Sequence, residues 1–313
     1  MKLVSFRSAR GGAHGVHVGV VRDDHIVDLS TWLSLPGSSP RFDMVDLIAM
    51  GRHGLASVRA ALAVPEGVLR DLGALVPLDS ATLLAPIPRP RKNVVCLGRN
   101  YAGHAAESVR AFGEQAQPPP EYPTFFTKAT TSVTGPYDDI PYDPTVSTQM
   151  DWECELAVVI GRAGKNIGRA EAMSYVFGYM VLNDVSARDL QRRHGGQYFK
   201  GKSLDGTCPT GPWLVTTDEL EDPHDLALWT LVNGVEKQRD HTGSMLFDIP
   251  TIIEHLSLGM TIEPGDIIAT GTPEGVGFAR TPPEFLRPGD VVECGVERVG
   301  VIRNTVRAGA QDR

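Results

Sequence analysis

The chain has 313 residues, 42% of them hydrophobic and 22% charged, which are the proportions of an ordinary globular protein long enough to bury a large core. A formal charge of −8 without a long basic run argues against nucleic acid and anionic membrane surfaces as partners. No apolar stretch reaches the roughly 20 residues of a membrane-crossing helix, and polar residues enter Met1-Lys2-Leu3-Val4-Ser5-Phe6 too early for a signal-peptide core, so the cytoplasm is the expected address.

Residues 1–75 alternate short apolar runs with turn signals and read as a small N-terminal domain. His17-Val18-Gly19-Val20-Val21 and Ile26-Val27-Asp28-Leu29 flank Arg22-Asp23-Asp24-His25, the pattern of a hairpin. Two amphipathic stretches follow at 44–50 and 55–62. Residues 76–91, which include Pro86, Pro88 and Pro90, read as a proline-rich linker, because proline removes amide donors and holds the chain extended.

From residue 92 to 313 the pattern is mainly β with short helices. Apolar runs at 156–160, 179–182, 213–215, 267–269 and 291–294 are separated by Gly and Pro turns. Residues 112–123, with Pro118-Pro119-Pro120, make a loop long enough to serve as a lid. Cys96, Cys154, Cys208 and Cys294 are scattered with no Cys-x-x-Cys pair, so each reads as a small core residue in a reducing compartment.

Two segments carry candidate chemistry. In Asp151-Trp152-Glu153-Cys154-Glu155-Leu156, the run into Gly161 reads as a buried strand whose alternate residues share a face. Glu153 and Glu155 then point one way, with Asp151 near them, while Trp152, Cys154 and Leu156 point the other way. Paired carboxylates at the start of a buried strand repel each other, and a hard cation such as Mg²⁺ or Mn²⁺ relieves both repulsion and desolvation. A solvated strand end explains this segment equally well on its own. The second segment, Asn183-Asp184-Val185-Ser186-Ala187-Arg188-Asp189-Leu190-Gln191, follows a strand and carries Ser186 and Asp189 at capping-box spacing, which places a helix start at Ser186. Asp184 then sits at a strand end, and Arg188 and Gln191 share a helix face. Together the two segments offer three carboxylates, Glu153, Glu155 and Asp184, as a metal site.

The chain resembles the fumarylacetoacetate hydrolase family through most of residues 93–305. The resemblance rests on six segments in order: Asn100-Tyr101-Ala102-Gly103-His104-Ala105-Ala106-Glu107, Pro123-Thr124-Phe125-Phe126-Thr127-Lys128, the acidic strand, the Asn183–Gln191 junction, Gly201-Lys202-Ser203-Leu204-Asp205, and Thr270-Gly271-Thr272-Pro273-Glu274-Gly275-Val276-Gly277. It implies an α+β fold with a mixed β-roll catalytic domain and a small N-terminal α/β domain. It also implies one Mg²⁺ or Mn²⁺ per subunit on Glu153, Glu155 and Asp184, and a homodimer. His104 and Glu107 become the acid–base pair, spaced to share a helix face if 100–111 is helical. Gln191 and Lys202 become substrate-polarising groups, with Arg99, Tyr101, Lys128, Arg188 and Thr272 at the substrate. The Thr270–Gly277 turn lacks a phosphate-loop ending and would present a Thr hydroxyl and backbone amides to a carboxylate. His194-Gly195-Gly196 is expected as a loop at the pocket rim.

The reaction this resemblance implies first is hydrolysis of a C–C bond in an acylpyruvate, giving pyruvate and a carboxylic acid. The same site also suits oxaloacetate decarboxylation or isomerisation of a 2-hydroxydienoate. A metal-bearing scaffold without catalysis is the remaining alternative, and intact His104, Glu107 and Lys202 argue against it. Arg99 favours a substrate with a second carboxylate, or else forms a salt bridge to the lid.

Overall fold

The computed structural model describes residues 1–8, 15–32, 42–113 and 120–309. Among them, strands dominate and helices are short, as the Gly- and Pro-punctuated apolar runs lead one to expect. The middle of the 112–123 segment expected as a lid, residues 114–119, lies outside the described residues. No described helix is long and apolar enough to cross a membrane.

The central element is a mixed sheet of twelve strands among the described residues. Across its width run Leu75–Pro77, His25–Asp28, His17–Arg22, Lys2–Ser8, Cys208–Thr216, Val176–Asn183, Cys154–Ile160, Ile267–Ala269, Val94–Gly98 and Thr124–Lys128. The hairpin of residues 17–28 forms as expected, with Arg22 opposite His25. Helices Met44–Ala49 and Arg52–Leu62 cover the two amphipathic stretches. A second sheet of five strands, Val235–His241, Ala227–Val232, Val291–Val296, Gly300–Ala308 and Ile140–Tyr142, faces the first.

Strand alternation divides the core in two. Leu156, Val158 and Ile160 join Tyr179, Val181, Leu228, Val292 and Ile302 between the two sheets. Ala157 and Val159 instead join Met180, Leu182 and Leu214 beneath the N-terminal helices, against Leu47, Ile48 and Val58. Period-two geometry places Glu153 and Glu155 on the second of these faces, at the open end of the strand, with Trp152 and Cys154 on the first. Both readings of the acidic strand's faces therefore hold.

The N-terminal segment continues the large sheet, since Lys2 and Leu3 pair with Val215 and Leu214. The proline-rich passage is also built in. Ala81–Leu83 pairs with the first strand, Ser5 Oγ donates to Pro86 O at 2.7 Å, and Ala85 and Ile87 are buried. Prolines in this passage reduce the amide donors that it must satisfy while it packs. Because Leu3 lies in the shared core, Leu3→Ala should lower stability by about 2–5 kcal/mol, the usual cost of such a cavity. Urea unfolding followed by tryptophan fluorescence checks this; an unchanged midpoint would show that the N-terminal strand is energetically separate.

Candidate active site

Three carboxylates converge where two neighbouring strands end. Cys154 pairs with Asn183 and Glu155 with Leu182, and beyond that ladder Asp184 N donates to Glu153 O at 2.8 Å. Asn183 Oδ1 accepts from Glu153 N at 3.1 Å, so the backbone at the mouth of the strand pair is held on this edge. Met180 and Leu182 face the N-terminal core, and the alternation carries Asp184 to the side occupied by Glu153 and Glu155. One oxygen from each of the three lies within 4.8 Å of the others, near enough to share an ion. Glu155 Oε2 accepts from Gly271 N at 2.7 Å, while its Oε1 is buried without a hydrogen-bond partner. An orphaned carboxylate oxygen in an all-oxygen set fits a hard divalent cation.

Buried cations surround the acids. Lys202 Nζ donates to Glu153 Oε2 and Asp184 Oδ2, each at 2.7 Å. Lys128, fully buried, donates to Val185 O and lies 2.8 Å from Asp184 Oδ1. Arg188 Nε donates to Asp151 Oδ2 at 2.8 Å, and its Nη2 lies 2.7 Å from Glu153 Oε1. Burial works against the Glu153 charge, yet Lys202, Arg188 and His104 outweigh it and hold that carboxyl below its ordinary range. Glu155 is the opposite case: burial, reinforced by Asp184 and Glu153, pushes its carboxyl well above the usual carboxylate range. For Lys202, burial opposes the charge, but Asp184 and Glu153 prevail and raise the ammonium above its ordinary value.

The junction after Asp184 departs from expectation. The helix runs Arg188–Arg193 rather than starting at Ser186. Ser186 and Ala187 pair instead with Asp151 and Met150, and Ser186 Oγ donates to Asp184 O at 2.8 Å. A strand bridge thus takes the residues that local capping chemistry would assign to the helix. Asp151, too, leaves the acidic cluster. It accepts from Gly277 N at 2.7 Å and Phe278 N at 3.0 Å as well as from Arg188.

Helix Ala102–Phe112 places His104 and Glu107 on one face, with His104 Nδ1 2.8 Å from Glu107 Oε1. Glu107 Oε2 accepts from Gly275 N at 2.9 Å. The 270–277 turn therefore offers amides to carboxylates, as expected, and those of Gly271, Gly275 and Gly277 go to three carboxylates of the chain itself, Glu155, Glu107 and Asp151. The Thr272 hydroxyl does not join them. It donates to Cys154 O at 2.9 Å and accepts from Gln238 Nε2 at 2.8 Å, which leaves it an acceptor toward any bound molecule.

A cavity of about 210 Å³ opens on this site. Arg99, His104, Glu153, Arg188, Gln191, Lys202 and Thr272 line it, and Gly196 of the expected rim loop joins them. Arg188 Nη1 donates to Gln191 Oε1 at 3.2 Å, which fixes that pair. Glu107 stands behind His104. Tyr101 and Lys128 do not line the cavity: Tyr101 is buried at the helix entry opposite Met245, and Lys128 sits behind Asp184. Sequence reasoning missed Arg192, Tyr198, Phe126 and Phe278 on the wall. Arg192 could have been found, being one helical turn after Arg188. Phe278, stacked 4.4 Å from the Arg188 guanidinium, arrives by tertiary contact and leaves no local signal.

The fumarylacetoacetate (FAA) hydrolase C-terminal family profile matches residues 93–307. The chain is 43% identical over 298 residues to the oxaloacetate tautomerase YisK of Bacillus subtilis (strain 168), a match spanning 92% of this chain and 95% of that protein. Among solved structures, it is similar to the fumarylacetoacetate hydrolase of psychrophilic Exiguobacterium antarcticum, with 36% identity and a TM-score of 0.76 over 99% of this chain and all of the other. It is also similar to the maleylpyruvate hydrolase of Sphingobium sp. SYK-6 in complex with manganese(II) and pyruvate, with 30% identity and a TM-score of 0.75 over 99% of this chain and 100% of the other. With two thirds of its length matched by the family profile and nearly all of it aligned to these relatives, this chain belongs to the fumarylacetoacetate hydrolase family.

Proposed function

We propose that this chain is a divalent-metal-dependent enzyme that interconverts the keto and enol forms of a small 2-oxo dicarboxylic acid of the oxaloacetate type. The observation that carries the reading is one cavity lined by Glu153 of the acidic cluster, by a histidine backed by a carboxylate, and by two further arginines, Arg99 and Arg192, with Glu155 and Asp184 buried beside Glu153. Similarity to an oxaloacetate tautomerase along nearly the whole chain supports it.

Glu153, Glu155 and Asp184 would hold Mg²⁺ or Mn²⁺, which supplies Lewis-acid polarisation of the 2-oxo group. The rest of the chemistry belongs to side chains. Glu107, accepting from Gly275 N, leaves His104 Nδ1 as the donor of their 2.8 Å contact, so the neutral ring carries its lone pair on Nε2. That nitrogen takes a proton from the carbon between the two carbonyl carbons. As the C–H bond breaks, its electron pair forms the C=C bond and the former C=O π pair moves onto oxygen. Lys202 keeps positive charge near the oxygen as negative charge develops there. A proton returned to that oxygen completes the enol, and the reverse sequence regenerates the ketone. Arg99 and Arg192 suit the far carboxylate, since guanidinium groups match carboxylates in charge and shape.

The second reading is acylpyruvate hydrolysis, and the His104–Glu107 bond favours it, because the same dyad would orient and deprotonate a water. Supplying the enol of oxaloacetate separates the two. Loss of enol absorbance without pyruvate release supports tautomerisation. Release of pyruvate and a carboxylic acid from an acylpyruvate supports hydrolysis, and inertness toward both with Mg²⁺ or Mn²⁺ present sinks the enzyme reading.

Glu155→Ala should abolish metal-dependent turnover yet keep the fold, because deleting one carboxylate relieves repulsion with Asp184 and Glu153; full activity in a metal-stripped Glu155→Ala preparation would refute the site. Glu107→Gln should lower turnover by about 10²–10⁴-fold, the usual worth of a positioned acid–base group. Steady-state kinetics that leave kcat intact would mean that the buried His104–Glu107 pair is structural and takes no part in turnover. Arg192→Met should raise KM for a 2-oxo diacid by about 10-fold or more, the scale of one charge-assisted hydrogen bond. Comparing diacid with its monoester checks this, since an equal loss for both would mean that Arg192 does not read the second carboxylate.

A further inference from the structure

Gln238 lies outside every expected motif, on the Val235–His241 strand at the edge of the five-stranded sheet. It is the one residue of that strand fully turned into the protein, with 1% exposure. All four hydrogen-bonding positions of its amide are used. Oε1 accepts from Cys154 N at 3.1 Å and from Thr230 Oγ1 at 2.6 Å, and Nε2 donates to Thr272 Oγ1 at 2.8 Å and to Pro273 O at 2.9 Å. A backbone N–H can only donate and a carbonyl can only accept, so Cys154 and Pro273 together dictate which way the amide faces.

The place of these bonds gives them their meaning. Cys154 separates Glu153 from Glu155. On the edge facing Ile267–Ala269, the acidic strand is supported by backbone pairing at residues 157–159 and by Thr270 N donating to Leu156 O. The neighbouring chain then peels away into the 270–277 turn. At Cys154 both backbone groups are met by side chains instead, the N–H by Gln238 and the carbonyl by Thr272. Gln238 therefore substitutes for a missing strand at the peptide between two acids. The turn is clamped against the same strand: a Cβ on Gly275, whose φ is +105°, would lie 2.1 Å from Lys237 O.

We propose that Gln238 is a positioning residue, which sets the spacing of Glu153 and Glu155 for a metal ion and aims the Thr272 hydroxyl at the cavity. It touches neither the cavity nor the reacting atoms, and acts through Cys154 and Thr272. This role rests on the proposed metal site, so the test reads metal binding directly.

Mn²⁺ is titrated into wild-type, Gln238→Leu and Thr272→Val proteins, with affinity from calorimetry and ion symmetry from the electron paramagnetic resonance spectrum. Wild type should bind one Mn²⁺ per chain; if it binds none, the metal reading itself fails. Gln238→Leu should keep its circular dichroism but weaken Mn²⁺ binding by about 10-fold, in line with the loss of buried hydrogen bonds around a ligand, with an altered spectrum. Thr272→Val, which deletes the same link from its other end and keeps nearly the same volume, should weaken binding in the same direction, and the double variant should fall short of the sum. Wild-type binding with unchanged affinity and spectrum in folded Gln238→Leu overturns the proposal. Should that variant fail to fold, unchanged Mn²⁺ binding by Thr272→Val overturns it equally.

Discussion

Everything around the site follows from burying three carboxylates on one face of two adjacent strands. Glu155 and Asp184 are wholly inaccessible and Glu153 nearly so, and isolated charges in such a position are costly. The fold answers with Lys128, Lys202 and Arg188, each drawn from a different segment and each buried. Three acids are thereby matched by three bases, with Asp151 as a fourth acid tied to Arg188. The compensation is uneven. Glu153 is held well inside its charged range while Glu155 is not, and Glu155 keeps an oxygen without a partner. A site with this residual demand for positive charge suits a cation.

Reaching that arrangement needs close backbone approach. Lys202 comes to the acids on the short helix Phe199–Lys202, which sits so tightly on Arg188–Arg193 that a Cβ at Gly201 would lie 2.6 Å from Gln191 Cγ and 2.7 Å from Ala187 O. Any larger residue there would lift Lys202 off Glu153 and Asp184. The 270–277 turn works in the same way from the opposite side. Its amides grip Glu155, Glu107 and Asp151, so the acidic cluster, the His104 dyad and the Arg188 clamp share one rigid support.

Relatives named as a tautomerase and as a hydrolase align with this chain at nearly full length, so the scaffold by itself is compatible with more than one outcome. Under the proposed reading, the choice lies in what reaches the cavity around the histidine. Arg99 holds a left-handed backbone conformation with φ of 56°, a sparsely populated state for a non-glycine residue, directly at the cavity wall. Arg192, Tyr198 and Phe278 complete that wall. Under that reading these residues, and not the acids, would sense substrate length and charge.

The sequence by itself determined the faces of the acidic strand, the three carboxylates as a group, the His104–Glu107 pair on one helix, the hairpin near the N-terminus and the family. Each rests on local periodicity or on short motifs, where period two or spacing of three residues is enough to say what lies beside what. Tertiary structure alone decided the rest. Ser186 reads as a helix cap but is claimed by a strand bridge to Asp151, a partner 35 residues away in sequence. The carboxylates that the turn amides meet are the chain's own, Glu155, Glu107 and Asp151, and the proton of the Thr272 hydroxyl goes to Cys154 O. Lys128 and Tyr101 belong to matching motifs but sit behind the cavity wall, and Gln238 carries no motif at all. Local chemistry lists what a side chain can bond; which partner it meets is set by long-range burial, because every buried polar group must be satisfied by whatever the fold brings against it.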